Sequence, residues 1–537
     1  MLGAATLLET YQQADAMLAA GKLQQAADMC KQMLETNPNF AYGYHLMSSL
    51  FRTTGNLEKA LSFSEIAIRL DPSVPPFHVQ QGQILFTMAR FDDAGMAFER
   101  AHRLCPTEAL YLILTADVSA QQGRYEEALA LFTRARALSD IPEIDEHEGL
   151  CLIVMGDLTL AEQRFERLIA RKPEHPAGYI HKGKVLLLTG RDREAEVAFA
   201  KALACHAASQ EALHGMAVVN ERQGQMDAAI TYAVQAVNAP GTIFDSLMLL
   251  GALLLRRQSW AGATQVYEQA LSLMPGSLYA LRGLADALLP QRMLRTMDTH
   301  IMTHNQTDVA DKALAFLKDC MHGANPPMPP AEYIAALFDN YAGRYEYFLQ
   351  PQTLYTPSMV TDVLRTLPMF SGQGNVSLLD LGCGAGELGR CLQDRVGHRV
   401  GVDLSPRMLD RARSKQCYHD LYALDATEFV LGSDRTFDLV AALDLLPYMG
   451  DLTAFFQALR NVMAAGSVAV VTAELDASAG AFQLKPSGRY VHTAVYLDAL
   501  LQDHGYDVVL KDTILLRLDA GQPVQGLMYV IKKKVLH

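Results

Sequence analysis

The residues best suited to chemistry lie late in the chain, in Leu379-Asp380-Leu381-Gly382-Cys383-Gly384-Ala385-Gly386-Glu387. An apolar run leads straight into closely spaced glycines and then into a helical pattern. Glycines at a strand-to-helix turn let a ligand approach the backbone and the helix amides, so a nucleotide-like ligand is expected there. Gly384, Gly386 and Gly389 also spell G-x-G-x-x-G, and Asp403 follows at a distance suited to a ribose; taken alone, that pattern points to NAD. His300 and His304 have a spacing that lets two imidazoles share a metal on one helix face, but no nearby acid completes H-E-x-x-H, and no metal site is predicted. The eight cysteines (Cys30, Cys105, Cys151, Cys205, Cys320, Cys383, Cys391, Cys417) lie far apart without a C-x-x-C pair, and read as reduced thiols.

Holding such a loop calls for a parallel α/β sheet. From Val376, short apolar runs alternate with helical patterns: Val376 to Leu381, Arg399 to Leu404, Leu421 to Leu424, Phe437 to Leu443 and Ser467 to Ala473. A helix over Thr493 to His504 then precedes two strands, Asp507 to Leu516 and Gly526 to Ile531. That ending predicts one strand inserted antiparallel at the sheet edge.

The 537 residues exceed what one core serves, and half of them are hydrophobic, which predicts a globular chain of several domains. Lys and Arg total 46 against 59 Asp and Glu, a net charge of -13. A field of that sign repels phosphate backbones, so no nucleic-acid partner is expected. The opening residues have no basic region, and the longest helical apolar run, Leu247 to Leu255, is too short for a bilayer. The expectation is a soluble cytoplasmic protein with no membrane partner. Lys532-Lys533-Lys534 reads as a solubility device or an edge gatekeeper.

The first half repeats. The marks Gly21/Ala26/Pro38 recur as Gly55/Ala60/Pro72, Ala89/Ala94/Pro106, Gly123/Ala128, Gly156/Ala161/Pro173, Gly190/Ala195, Gly224/Ala229 and Gln258/Ala263/Pro275, in steps of 34 residues with one of 33. The Gly suits a turn with positive φ, the Ala admits a close helix pair, and the Pro closes the second helix. Eight copies of this period resemble the tetratricopeptide repeat, which implies an all-α superhelical solenoid with a concave binding face. Helix-A positions would present Tyr42, His45, Arg52, Gln83, Lys184, His214 and Glu221 there, without the Lys/Asn/Arg clamp that grips a terminal carboxylate. The array then reads as a docking surface, or as a scaffold or homodimer arm. Ser277 to Leu289 reads as a capping helix, and Arg292 to Lys318 as a polar linker ending at the Pro-rich run Asn325 to Pro330. Domains are thus expected at 1–290 and 331–537, joined by a linker over 291–330.

In the second half, Asp380 precedes the Gly382/Gly384/Gly386 triplet, Val402-Asp403-Leu404-Ser405 closes the second strand, and Leu424-Asp425-Ala426 closes the third. Together these landmarks resemble the class I S-adenosylmethionine-dependent methyltransferases, over roughly Tyr333 to Lys534. The runs Phe437-Asp438-Leu439-Val440-Ala441-Ala442-Leu443-Asp444-Leu445-Leu446-Pro447-Tyr448, Pro486-Ser487-Gly488-Arg489-Tyr490-Val491-His492 and Phe338-Asp339-Asn340-Tyr341-Ala342-Gly343-Arg344-Tyr345 are similar to the bacterial methyltransferases that carry tetratricopeptide repeats. The resemblance implies an α/β Rossmann-like domain with a seven-stranded mixed sheet and an antiparallel edge strand.

It also implies roles. Asp403 would accept from both ribose hydroxyls, Asp425 would take the adenine amine with Ala426 supplying an amide, and Leu404 and Met408 would sandwich the ring. The methionine of the cofactor would lie along Gly382, Cys383, Gly384 and Gly386, with Asp380 steadying the loop or meeting the ammonium group and Leu443 lining the pocket. Cys383 itself reads as a packing residue. Tyr341 and Arg344 would cover the pocket, although Glu346 departs from the family pattern at this lid. Methyl transfer from a sulfonium depends mainly on alignment. At the mouth above the fourth and fifth strands, among Asp444, Tyr448, Arg489, Tyr490 and His492, the general-base candidate is His492, whose ordinary pKa lies near neutrality, with Tyr448 or Tyr490 orienting the acceptor. The alternative for His492 is a loop histidine hydrogen-bonded to backbone that holds the Ser487-Gly488-Arg489-Tyr490 turn. S-adenosylmethionine is therefore the expected cofactor, and a protein or peptide substrate in the repeat groove, methylated on oxygen or nitrogen, the expected partner. The alternatives are a small-molecule biosynthetic methyltransferase whose repeats mediate assembly, and a non-enzymatic adaptor.

Overall fold

The computed structural model describes residues 4–241, 243–288, 308–342, 357–367, 376–485, 487–519 and 522–534. The chain divides into two compact units, Met1–Pro173 and Glu174–His537.

Helix pairs begin with Ala4–Ala19 and Leu23–Thr36 and recur through Pro142–Met155 and Leu158–Arg171 in the first unit. The second unit continues them from Pro176–Leu188 and Asp192–Cys205 to Phe244–Arg256 and Trp260–Leu273, followed by the helix Leu278–Leu288. The repeat marks do the work expected of them. The alanines, Ala26 through Ala263, are buried in every pair, and the turn inside each pair uses a left-handed residue. Two of these turns lack glycine: Ala89 and Gln258 adopt φ of 57° and 60°. Packing between pairs is equally tight. A Cβ on Gly183 or on Gly215 would come within 2.7 or 2.5 Å of the Phe199 ring, so one aromatic wedges between two backbones.

The C-terminal sheet contains β1 (Leu378–Leu381), β2 (Arg399–Asp403), β3 (Asp420–Ala423), β4 (Phe437–Ala442), β5 (Met463–Glu474), β8 (Tyr506–Asp519) and β9 (Gln522–Lys533), in the order β3-β2-β1-β4-β5-β9-β8. β6 (Phe482–Leu484) and β7 (Tyr490–His492) form a separate hairpin. β1 to β5 are parallel, and β9 runs antiparallel to both β5 and β8. The antiparallel strand is therefore next to the edge, and the edge strand β8 is parallel to the first five. The reason is apolarity: Leu527 to Ile531 of β9 are buried on both faces, whereas β8 exposes Val508, Val509 and Leu510. Helices cover both sides, with Phe455, Phe456 and Leu459 on one face and Val360, Leu364 and Leu388 on the other.

The segment expected to be a linker is partly core. Within it, Asp308–His322 is a helix whose Phe316, Leu317 and Cys320 are buried with Leu281, Leu284 and Tyr333. Asn325 to Pro327 then straps onto the hairpin. The Asn325 amide donates to the Phe482 carbonyl at 3.1 Å and accepts from Leu484 N–H at 2.6 Å, and Gly450 and Asp451 N–H both donate to the Pro327 carbonyl. Leu484 and Tyr490 join the same apolar cluster as Tyr267 of the last repeat and Leu281 of the helix after it. Among the described residues, no helix is long and apolar enough to cross a membrane.

Candidate active site

The glycine loop leaves β1 through left-handed residues: Gly382, Gly384 and Gly386 have φ of 73°, 51° and 88°. Side chains rarely adopt such values, and their absence lets a ligand come close to the backbone. The loop is locked to β2. Gly382 and Cys383 N–H donate to the Val402 carbonyl, and Gly384 N–H donates to Asp403 Oδ2 at 2.9 Å. Asp403 Oδ1 accepts from Ser405 N–H at 2.8 Å. Burial holds this carboxyl above the usual range, while these amide bonds favour its ionised form. Each oxygen retains a further lone-pair direction for a hydroxyl donor. At the end of β3, Asp425 caps the helix Ala426–Gly432, with Oδ1 accepting from both Thr427 and Glu428 N–H. Its Oδ2 takes part in neither cap bond, and Ala426 is buried beside it.

A lid helix, Ala331–Ala342, lies over this region. Asp339 Oδ1 accepts from Ser405 Oγ at 2.6 Å and from Arg407 N–H at 3.2 Å, pinning the lid to the start of the helix Pro406–Ser414. Tyr341 packs with Ala342, Ala385 and buried Met408, so the lid bridges the glycine loop and the helix after β2. Leu404 is half-buried on the apolar cluster around Tyr333. Cys383 is buried against Gly401, and burial pushes its thiol well above the ordinary range, which fits packing rather than nucleophilic duty. Arg344, His300 and His304 lie outside the described residues.

Asp380 sits at the floor of the loop, 2% exposed, and accepts a hydrogen bond from the Tyr418 hydroxyl. Burial raises its pKa to about 7, opposed by the Tyr418 bond and assisted by Asp403. Gly389, third glycine of the dinucleotide pattern, is where the Tyr418 ring fits: a Cβ there would meet Tyr418 Cζ at 2.5 Å. That ring accounts for the glycine without a pyrophosphate.

At the end of β4, Leu443 is half-buried against the sheet, and Asp444 adopts φ of 53° while donating its N–H to Thr472 Oγ1 at 2.8 Å. A left-handed non-glycine beside a candidate pocket is a common mark of function. Tyr448 lies in the 3₁₀ turn Leu446–Tyr448, with its ring edge-on to Phe338 of the lid at 5.1 Å. The structure thus sets the Tyr448 ring against Phe338 of the lid, whereas Tyr490 and His492 direct their polar atoms at backbone carbonyls. Tyr490 is buried, and its hydroxyl donates to the Pro326 carbonyl at 2.8 Å. His492 is fully buried, its Nε2 bonded to the Gly450 carbonyl at 3.0 Å, and burial lowers its pKa to about 4. The expectation of a general base at His492 is corrected accordingly: it holds the loop after Tyr448. Sequence reading missed Tyr418 and Asp339 as site residues, because both act through partners distant in sequence. Among the described residues, no cluster of three or more His, Cys, Asp or Glu could hold a metal.

Comparisons with known proteins match the two parts of the chain separately. Residues 378–466 match the methyltransferase domain family, and residues 79–140 and 149–212 match the tetratricopeptide repeat family. The malonyl-[acyl-carrier protein] O-methyltransferase of Salmonella typhimurium is 30% identical over 178 residues, covering 33% of this chain and 67% of the relative. That of Serratia marcescens is 32% identical over 136 residues, covering 25% of this chain and 50% of the relative. The crystal structure of a tetratricopeptide repeat protein from Parabacteroides merdae aligns over 47% of this chain and 99% of its own, at 14% identity and a TM-score of 0.41. With the glycine loop, the carboxylates of β2 and β3 and the repeat pairs in one sequence, the chain belongs to the methyltransferases that carry tetratricopeptide repeats.

Proposed function

We propose that this chain is a class I S-adenosylmethionine-dependent methyltransferase whose repeats recruit a protein-borne acceptor, methylated on oxygen or nitrogen. The observation that carries the reading is the trio of Asp403, Asp425 and the left-handed glycine loop at the carboxyl ends of adjacent strands, closed over by Tyr341 on Met408. The residues fit the cofactor. Asp403 has acceptor capacity for ribose hydroxyls, Asp425 Oδ2 for the adenine amine, and the glycines leave room for the methionine part. When bound, the cofactor supplies an electrophilic methyl group. The protein's share is to align the acceptor and exclude water, with Tyr448 and Phe338 at the lid as the orienting surfaces. Arg344 would bind the cofactor carboxylate. A protein-borne acceptor is favoured because both relatives are named for a malonyl group on an acyl-carrier protein, and because repeats of this family offer docking surfaces.

Calorimetric titration with S-adenosylmethionine, S-adenosylhomocysteine and NAD tests the cofactor. The expected result is saturable binding of the first two, lost in Asp403→Ala; binding of NAD alone would overturn it. Radiolabelled methyl transfer in extracts then separates acceptors: label confined to free small molecules would exclude the protein-borne reading.

A further inference from the structure

Tyr418 comes just before β3, yet its side chain reaches back to the floor of the glycine loop. Its hydroxyl donates to Asp380 Oδ2 and accepts from Gly389 N–H at 3.2 Å. Its ring fills the space that side chains at Gly386 and Gly389 would need, with a Cβ on either coming within 3.2 or 2.5 Å of it. Cys417 closes the same face, its thiol directed at the Gly386 carbonyl at 3.3 Å. One phenol therefore ties together the acid ending β1, the last glycine of the loop and the helix that follows.

We propose that Tyr418 is a positioning residue for the methyl donor: its hydroxyl orients the Asp380 carboxylate to receive the ammonium group of the donor's amino-acid end. The inference rests on reading the pocket as one for S-adenosylmethionine. A buried carboxyl with a single fixed donor presents its other lone pairs in one direction, which suits a compact cationic ligand. The titratable groups facing Asp380 are Tyr418, Asp403, Cys383 and Cys417. The Tyr418 bond favours the ionised form of Asp380 against burial, Asp403 disfavours it, and the two thiols, raised by burial, stay neutral beside it.

The test uses the full chain with Tyr418→Phe, which keeps the ring and removes the hydroxyl, and Asp380→Asn as a second variant. The probes are S-adenosylhomocysteine, which carries the amino-acid end, and methylthioadenosine, which lacks it. Each variant is expected to weaken S-adenosylhomocysteine about tenfold, the effect of one hydrogen bond to a charged group, while methylthioadenosine affinity stays within error. In Tyr418→Phe, the pH at which S-adenosylhomocysteine affinity is half-maximal moves above its wild-type position, because the bond that favours ionised Asp380 is gone. Unchanged affinity for both probes in Tyr418→Phe overturns the inference, and so does an equal loss of both, which marks a merely structural tyrosine. Failure of the wild type to bind either probe instead overturns the cofactor reading, and this inference with it.

Discussion

The Tyr490 hydroxyl donates to the Pro326 carbonyl at 2.8 Å, and this bond joins the hairpin of the methyltransferase fold to the strap that follows the last repeat. Tyr490 sits in one apolar cluster with Tyr267, Leu281 and Tyr333. A fragment of residues 331–537 loses the repeat side of that cluster and exposes Leu484 and Tyr490. It is expected to aggregate or to unfold without a cooperative transition, whereas residues 174–537 retain a compact unit. Circular dichroism melts of both fragments check this. A sharp transition in residues 331–537 would show that the sheet domain folds without the repeats.

His492 carries a pH signature of its own. Burial lowers its pKa from 6.5 to about 4, so the unfolded chain takes up a proton that the folded chain refuses. The stability it contributes is fully present above pH 6.5 and is lost as pH falls toward 4, a change of up to roughly 3 kcal/mol. His492→Gln should flatten the loss of urea resistance between those pH values. Methyl transfer at neutral pH should stay within a few-fold of wild type, because the residue is remote from solvent. A hundredfold loss of turnover with normal stability would restore it as the base.

Ala89 and Gln258 hold left-handed turns that glycine occupies in the other repeats. A side chain in that region costs about 1–2 kcal/mol, partly offset by the greater chain entropy of glycine. Ala89→Gly and Gln258→Gly should each stabilise the fold by about 0.5–1 kcal/mol in urea titration. Destabilisation by either would mean that the side chain contributes packing that outweighs the strain.

In the first unit, Asp145 is fully buried and faces Arg136 at 2.9 Å, Arg171 at 3.2 Å and Arg167 at 3.5 Å. Asp140, at the place where other repeats carry the closing proline, bonds the same three arginines. Removing one member of a buried ion cluster strands the rest. Asp145→Ala should therefore cost about 3–5 kcal/mol, read as a fall in the thermal midpoint of the full chain. A change under about 1 kcal/mol would indicate that water reaches the arginines and repairs the loss.

The repeats were legible because each copy carries its own turn, close-packing alanine and helix stop, and the eight copies report one another. The parallel strands were legible because a strand buried on both faces, such as β1 or β4, reads as a short apolar run broken by no more than one Asp. The hairpin was not. β6 and β7 are three residues each, and their fixing partner Asn325 stands 157 residues before Phe482. The helix Asp308–His322 was hidden for a related reason: its buried Phe316, Leu317 and Cys320 are spaced among polar residues and gain meaning only against Leu281 and Tyr333. Asp403 and Asp425 announced themselves by position at strand ends. His492 misled because residue type sets an ordinary pKa, whereas burial, a tertiary property, sets the actual one.

Tyr279, on the helix after the last repeat pair, packs edge-on to Tyr341 at 5.8 Å; Tyr341 in turn meets Phe338, and Phe338 meets Tyr448. This chain of rings runs from the repeats to the candidate pocket, so the array supplies part of the wall that holds the lid. An aromatic contact of this kind contributes about 0.5–1.5 kcal/mol beyond its buried area. Tyr279→Ala should loosen the seat of Tyr341 over Met408 and weaken S-adenosylhomocysteine by about threefold to tenfold, although Tyr279 lies on the repeat side of the lid. Tyr279→Phe keeps the ring and should restore wild-type affinity. Calorimetry on the two variants decides the matter. Equal affinity in Tyr279→Ala and wild type would show that the lid is held without the repeat side, by the bonds of Asp339 to Ser405 and Arg407 and the packing of Tyr341 with Met408.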